Sequence, residues 1–83
     1  MEEEKRIAIL SILVENRGEA ETLNAYLSEY GEYIVGRMGI PYREKHVSVL
    51  AVALDAPVSV TNALTGKIGK LAGVSAKTLF SKI

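Results

Sequence analysis

Ile7-Ala8-Ile9-Leu10-Ser11-Ile12-Leu13-Val14 is the stretch whose reading decides the fold. It is almost wholly apolar, and Ile7, Ile9, Ile12 and Val14 are β-branched. Eight residues of this kind are too short and too stiff at χ1 for an independent helix, so the run reads as a strand. Its two faces are Ile7, Ile9, Ser11, Leu13 and Ala8, Leu10, Ile12, Val14. Both are apolar, so the strand should be covered on both sides. One other run resembles it, Val47–Leu54, with faces Val47, Val49, Ala51, Ala53 and Ser48, Leu50, Val52, Leu54. These two are expected to be the paired central strands of one small sheet.

Outward from the first run, the chain begins with a charged lead-in over residues 1–5, and strand one covers Lys5 to Val14. Glu15-Asn16-Arg17-Gly18 breaks the pattern as a turn, with Gly18 tolerant of positive φ. From Glu19 to Tyr30 the period changes: Ala20, Leu23, Leu27 and Tyr30 recur at three and four, one face of a helix. Gly31 is placed as its C-terminal stop. Glu32–Ile40 reads as a second strand, with Ile34, Gly36, Met38 and Ile40 in one phase. Its glycines and polar residues suit an edge. Residues 41–46 form a polar connector into the third strand. Asp55-Ala56-Pro57 ends that strand, with Pro57 in the first turn of the next helix or Ser59 as its N-cap.

The second helix carries Val60, Ala63, Leu64, Lys67, Ile68 and Leu71 on one face, Lys67 lending only its stem. Gly66 and Gly69 inside it cost about 1 kcal/mol each against alanine, which implies a close backbone approach. Gly73 ends the helix, and Ser75–Lys82 is the last strand. The order β-α-β-β-α-β is an internal repeat of two βαβ halves. Right-handed crossovers bring these together as an α+β, ferredoxin-like βαββαβ fold: a four-stranded antiparallel sheet in the order 4-1-3-2, with two helices on one face. Strands one and three fall in the centre, where the two most apolar runs belong. Their second apolar face then lies open, and self-association into a dimer or tetramer is the simplest cover, face to face or edge to edge.

Composition narrows the function. The 83 residues make one domain, 1–83, and contain no cysteine, so neither a disulfide framework nor a thiolate metal site is available. Ten basic and ten acidic residues cancel, which argues against direct nucleic-acid binding. No apolar run reaches the roughly 20 residues of a membrane span, and the acidic N-terminus is unlike a signal peptide, so a cytoplasmic protein without membrane contact is expected. His46, the single histidine, lacks companions for a metal site, and no metal or other cofactor is expected. No acid–base cluster or nucleophile motif points to an enzyme. Arg37, a charged residue within a strand, lies on an edge, reaches an interface or meets an anion. The candidate ligand-binding residues are Asn16, Arg17 and Gly18, between a strand end and a helix start where backbone N–H groups can meet a carboxylate or phosphate.

Two resemblances follow from particular stretches. Leu13-Val14-Glu15-Asn16-Arg17-Gly18, then a helix, then Tyr30-Gly31-Glu32-Tyr33-Ile34, resembles the start of an ACT domain, a small regulatory module. Arg17 stands where those domains usually have proline, and Ala20 where a leucine usually follows the glycine. A fuller resemblance runs over about residues 6–80. Arg6-Ile7-Ala8-Ile9-Leu10, Val35-Gly36-Arg37-Met38-Gly39-Ile40-Pro41-Tyr42 and Asn62-Ala63-Leu64-Thr65-Gly66-Lys67-Ile68-Gly69-Lys70-Leu71 resemble the iron-only hydrogenase system regulators. That family is similar in fold to ACT domains and to the C-terminal domain of nickel-responsive repressors. The resemblance implies a regulatory module that binds a small effector or a protein partner; no helix-turn-helix or ribbon–helix–helix segment is present, so any control of transcription would run through another chain. The alternative is a structural or assembly subunit without a small ligand.

Overall fold

The computed structural model describes residues 4–82, so most of the lead-in, residues 1–3, lies outside the described residues. Six main elements follow in order: β1 (Lys5–Val14), α1 (Ala20–Glu29), β2 (Ile34–Tyr42), β3 (Val47–Pro57), α2 (Val58–Gly69) and β4 (Val74–Phe80). Short 3₁₀ turns precede α1, β2 and β3. The strands form one antiparallel sheet in the order β2-β3-β1-β4, the expected ferredoxin-like topology.

Register settles which apolar phase the helices cover. Leu10 pairs with Val52, Ile12 with Leu50 and Ala8 with Leu54, and these point into the core. Leu23 and Leu27 from α1 and Leu64 and Ile68 from α2 close over them. Each such side chain contributes roughly 1.5–3 kcal/mol when removed from water. The other phase, Ile7, Ile9 and Leu13 of β1 with Val49 of β3, stays exposed. Both helices are spent on the first face, so among the described residues no element covers the second.

Several boundaries differ from the sequence reading, each for a physical reason. β3 runs on to Pro57, because Lys5 still pairs with Pro57 and Ala56 is small enough to bury completely. Pro57 is therefore the residue before the helix, at φ −56° and ψ 144°, and α2 starts at Val58 rather than from a Ser59 cap. β2 starts two residues late and ends two late. Gly31 opens a 3₁₀ turn in place of a left-handed stop, and Pro41 and Tyr42 continue the strand, which an edge position permits. A β-bulge at Val35 shifts the register between Ile34 and Gly36. Ile34 thus turns toward the core opposite Leu54 while Met38 and Ile40 face the open side, so the expected single phase is broken. The last strand begins at Val74, not Ser75, and ends at Phe80.

The inner face of α2 is Thr61, Leu64 and Ile68; Ala63 points to solvent. Gly66 and Gly69 are exposed, and a Cβ at either would meet nothing within 4 Å. The expected close backbone approach is absent, and only the entropic cost of glycine remains. Gly66→Ala is accordingly expected to stabilise the fold by about 0.5–1 kcal/mol, read as a higher midpoint in thermal unfolding. Thr61 makes a second local prediction. It is fully buried, and among the described residues its Oγ1 has no partner. Neighbouring Thr65 instead bonds the Thr61 carbonyl at 2.8 Å and Thr78 Oγ1 at 2.7 Å. Thr61→Val keeps the shape and removes the orphan hydroxyl. A gain of about 1 kcal/mol is expected, or about 4–8 °C in the midpoint for a chain of this size.

Candidate functional site

The turn between β1 and α1 is held by Asn16. Its Oδ1 accepts from the Gly18 amide at 3.0 Å, and its carbonyl accepts from the Glu19 amide at 3.1 Å. Its Nδ2 reaches the Ala72 carbonyl at 3.4 Å, and the adjoining Glu15 amide donates to the Gly73 carbonyl at 2.7 Å. Asn16 therefore straps this turn to the α2–β4 turn, and the Gly18 and Glu19 amides are already used inside the turn. A side chain at Gly18 would crowd Asn16 Oδ1, which its Cβ would meet at 3.2 Å. Of the three candidate residues, Arg17 is the one directed into a cleft.

That cleft, of about 200 Å³, lies between the first half of α1 and the helix-facing side of β2 and β3. Strand period explains its wall. Arg37, Gly39 and Pro41 alternate along β2 opposite Val52, Leu50 and Ser48. Gly39 has no side chain to fill the space, and a Cβ there would find only Leu50 Cγ, at an ordinary 3.8 Å. Val14, Leu23 and Leu50 give the cleft an apolar floor. Arg37 enters from β2, its Nη2 donating to Asn24 Oδ1 on α1 at 3.0 Å. Arg17 and Arg37 thus meet one cavity from separate elements, and none of the residues lining it is acidic. Arg17 also borders a smaller crevice with Tyr42, Arg43 and His46. His46 ends the β2–β3 turn in the left-handed region, at φ 54°.

Arg37 stood in the sequence as a charged residue with three readings; the structure puts it on the edge strand, aimed at the helix side. Its register depends on the bulge at Val35, which no local pattern announces.

Among the described residues no group of three or more histidine, aspartate or glutamate side chains is placed to hold a metal ion, and no helix is long and apolar enough to cross a membrane. A further cationic group lies on the helix layer. Lys67 Nζ is 3.4 Å from Glu29 Oε1 and lies over the rings of Tyr26 and Tyr30, tying α2 to α1. Partial desolvation pulls its pKa down, but Glu29 and Tyr30 more than offset this and hold it above the usual lysine value. This ammonium already has its carboxylate. Among the described residues the cleft's two guanidinium groups have none, and the arrangement suits binding of an anion.

The family model described as "TM1266-like: Iron-only hydrogenase system regulator, putative" matches residues 6–78. Among solved structures, the uncharacterized protein TM1266 from Thermotoga maritima is 38% identical. It superposes with a TM-score of 0.90 over 95% of this chain and 100% of that one. No curated protein matches the chain.

Proposed function

The chain belongs to the iron-only hydrogenase system regulator family, and from that premise we propose a regulatory module that pairs with a second copy through its open sheet face and takes a small effector in the cleft. The process regulated is then the iron-only hydrogenase system. The observation that carries this reading is the uncovered apolar face: Ile7, Ile9, Leu13, Met38, Ile40, Val49 and Leu79 are all large, apolar and exposed. A contiguous face of this kind marks an interface.

Its relief favours a like partner. Ala51, Ala53 and Gly36 make a shallow valley between the ridge residues Ile9 and Met38, so the ridge of one sheet can seat in the valley of another about 10 Å away. Both signs of charge sit at the margins: register puts Lys77 beside Ser11 on the edge strand and Asp55 beside Ile7 near the end of β3. A face built for an acidic or basic partner would carry one sign in excess; a two-fold contact between copies suits this one.

The two halves of the reading meet on β2. Alternate residues send Arg37, Gly39 and Pro41 toward the cleft and Met38, Ile40 and Tyr42 toward the open face. An effector that moves this strand changes the interface, which gives a binding event an output. The test is mass in solution: a species heavier than one 9.0 kDa protomer, lost on Ile9→Asp. A single protomer at every concentration would refute it.

A further inference from the structure

We propose that the effector is a small organic monocarboxylate, its head gripped by Arg17 and Arg37 and its short apolar body laid against Val14, Leu23 and Leu50. The inference rests on the reading of the cleft as an effector site and adds the ligand's chemistry. Two guanidinium groups face one cavity of about 200 Å³ whose lining contains no carboxylate. Among the described residues neither arginine has an acidic side chain within ion-pair distance. Lys67, by contrast, has Glu29 at 3.4 Å. Two like charges at one cavity repel each other, and an arriving anion relieves both.

The geometry selects within anions. The bond from Arg37 Nη2 to Asn24 at 3.0 Å fixes the direction of the guanidinium fork and leaves its other N–H groups for a ligand. A planar fork matches a planar carboxylate in two parallel hydrogen bonds. The volume is below the roughly 300–1,000 Å³ of sites for drug-sized ligands, which favours a short ligand over a nucleotide. The floor is apolar, so the body behind the head is aliphatic and not a second charged group.

The experiment is a titration of the full chain, followed residue by residue in its amide NMR spectrum. The probes are 4-methylpentanoate and its uncharged counterpart, 4-methylpentanamide. The carboxylate is expected to give saturable shifts confined to the cleft, at Arg17, Leu23, Arg37, Gly39, Ile40 and Leu50. The amide is expected to bind at least about tenfold more weakly, the worth of one charge-assisted hydrogen bond. Arg37→Gln and Arg17→Gln should each remove that preference. Gly39→Leu, which fills a space the backbone leaves open, should abolish binding of both probes while the spectrum stays folded. Equal affinity for the two probes, or an unaltered preference in Arg37→Gln, overturns the carboxylate and leaves the effector site standing. No cleft shifts from either probe overturns both.

Discussion

Leu10→Asp is expected to leave the chain unfolded, and Ile9→Asp, one residue away, to leave it folded but monomeric. Leu10 is fully buried beneath both helices and pairs with Val52 at the middle of the sheet. An unpaired carboxylate there costs several kcal/mol in desolvation, on top of the lost packing. A chain of this length has only about 4–12 kcal/mol of stability in total. Ile9 points the opposite way and remains 46% exposed in the single chain. Aspartate at that position stays hydrated in the monomer and becomes costly only when a second sheet covers it. A two-fold contact carries the substitution twice, so a loss of about 4 kcal/mol, or about a thousandfold in the dimer constant, is expected. Far-ultraviolet circular dichroism reads the fold and sedimentation reads the mass. Unfolding by both substitutions would mean that the exposed face belongs to the core.

Gly73→Ala should be the most damaging single methyl addition to a turn. Gly73 has φ +71°, and it is the glycine among the described residues in the left-handed region. A Cβ on it would lie 2.7 Å from Asn16 Cβ and 3.3 Å from the Asn16 backbone nitrogen, neither of which is the end of a flexible side chain. The conformational cost is about 1–2 kcal/mol. The overlap adds roughly 1–3 kcal/mol, because the strap between Glu15, Asn16 and the α2–β4 turn must open. At about 4–8 °C per kcal/mol, the midpoint of thermal unfolding should fall by more than about 10 °C. A shift within about 2 °C would show that the two turns are not locked together. Gly66→Ala, with the opposite expected sign, is the matched control: the same chemical change where the added atom meets nothing.

These two glycines show where the sequence speaks and where it does not. Gly66 lies inside the second helix and Gly73 reads as its stop, but nothing local shows that Gly73 is pressed against another turn while Gly66 is free. The difference is made by Asn16, more than fifty residues away, where the β1–α1 turn backs onto Gly73. The two central strands were legible because full burial of one face and an apolar second face leave a signal in both phases. Which phase met the helices was not legible, since Ile9 and Leu10 are equally apolar. Only the placement of Leu23, Leu27, Leu64 and Ile68 separates them. The bulge at Val35 reversed the phase of Ile34 relative to Met38, and Ala56 carried β3 through to Pro57 because its side chain fits where a larger one would not. In the candidate site, the Asn-Arg-Gly turn was visible as a turn. The division of labour within it, with Asn16 holding two loops and Arg17 reaching the cleft, depends on the opposite end of the chain. Arg37 joins Arg17 only through the pairing of β2 with β3.

Sedimentation equilibrium of the unmodified protein, over a wide concentration range, tests the central claim most directly. The open face of Ile7, Ile9, Leu13, Met38, Ile40, Val49 and Leu79 predicts a dimer or a multiple of it, with Ile9→Asp returning the mass to a single 9.0 kDa protomer while keeping its helical signal. A wild-type mass of 9.0 kDa at every concentration, or a heavier species that Ile9→Asp leaves intact, would contradict it.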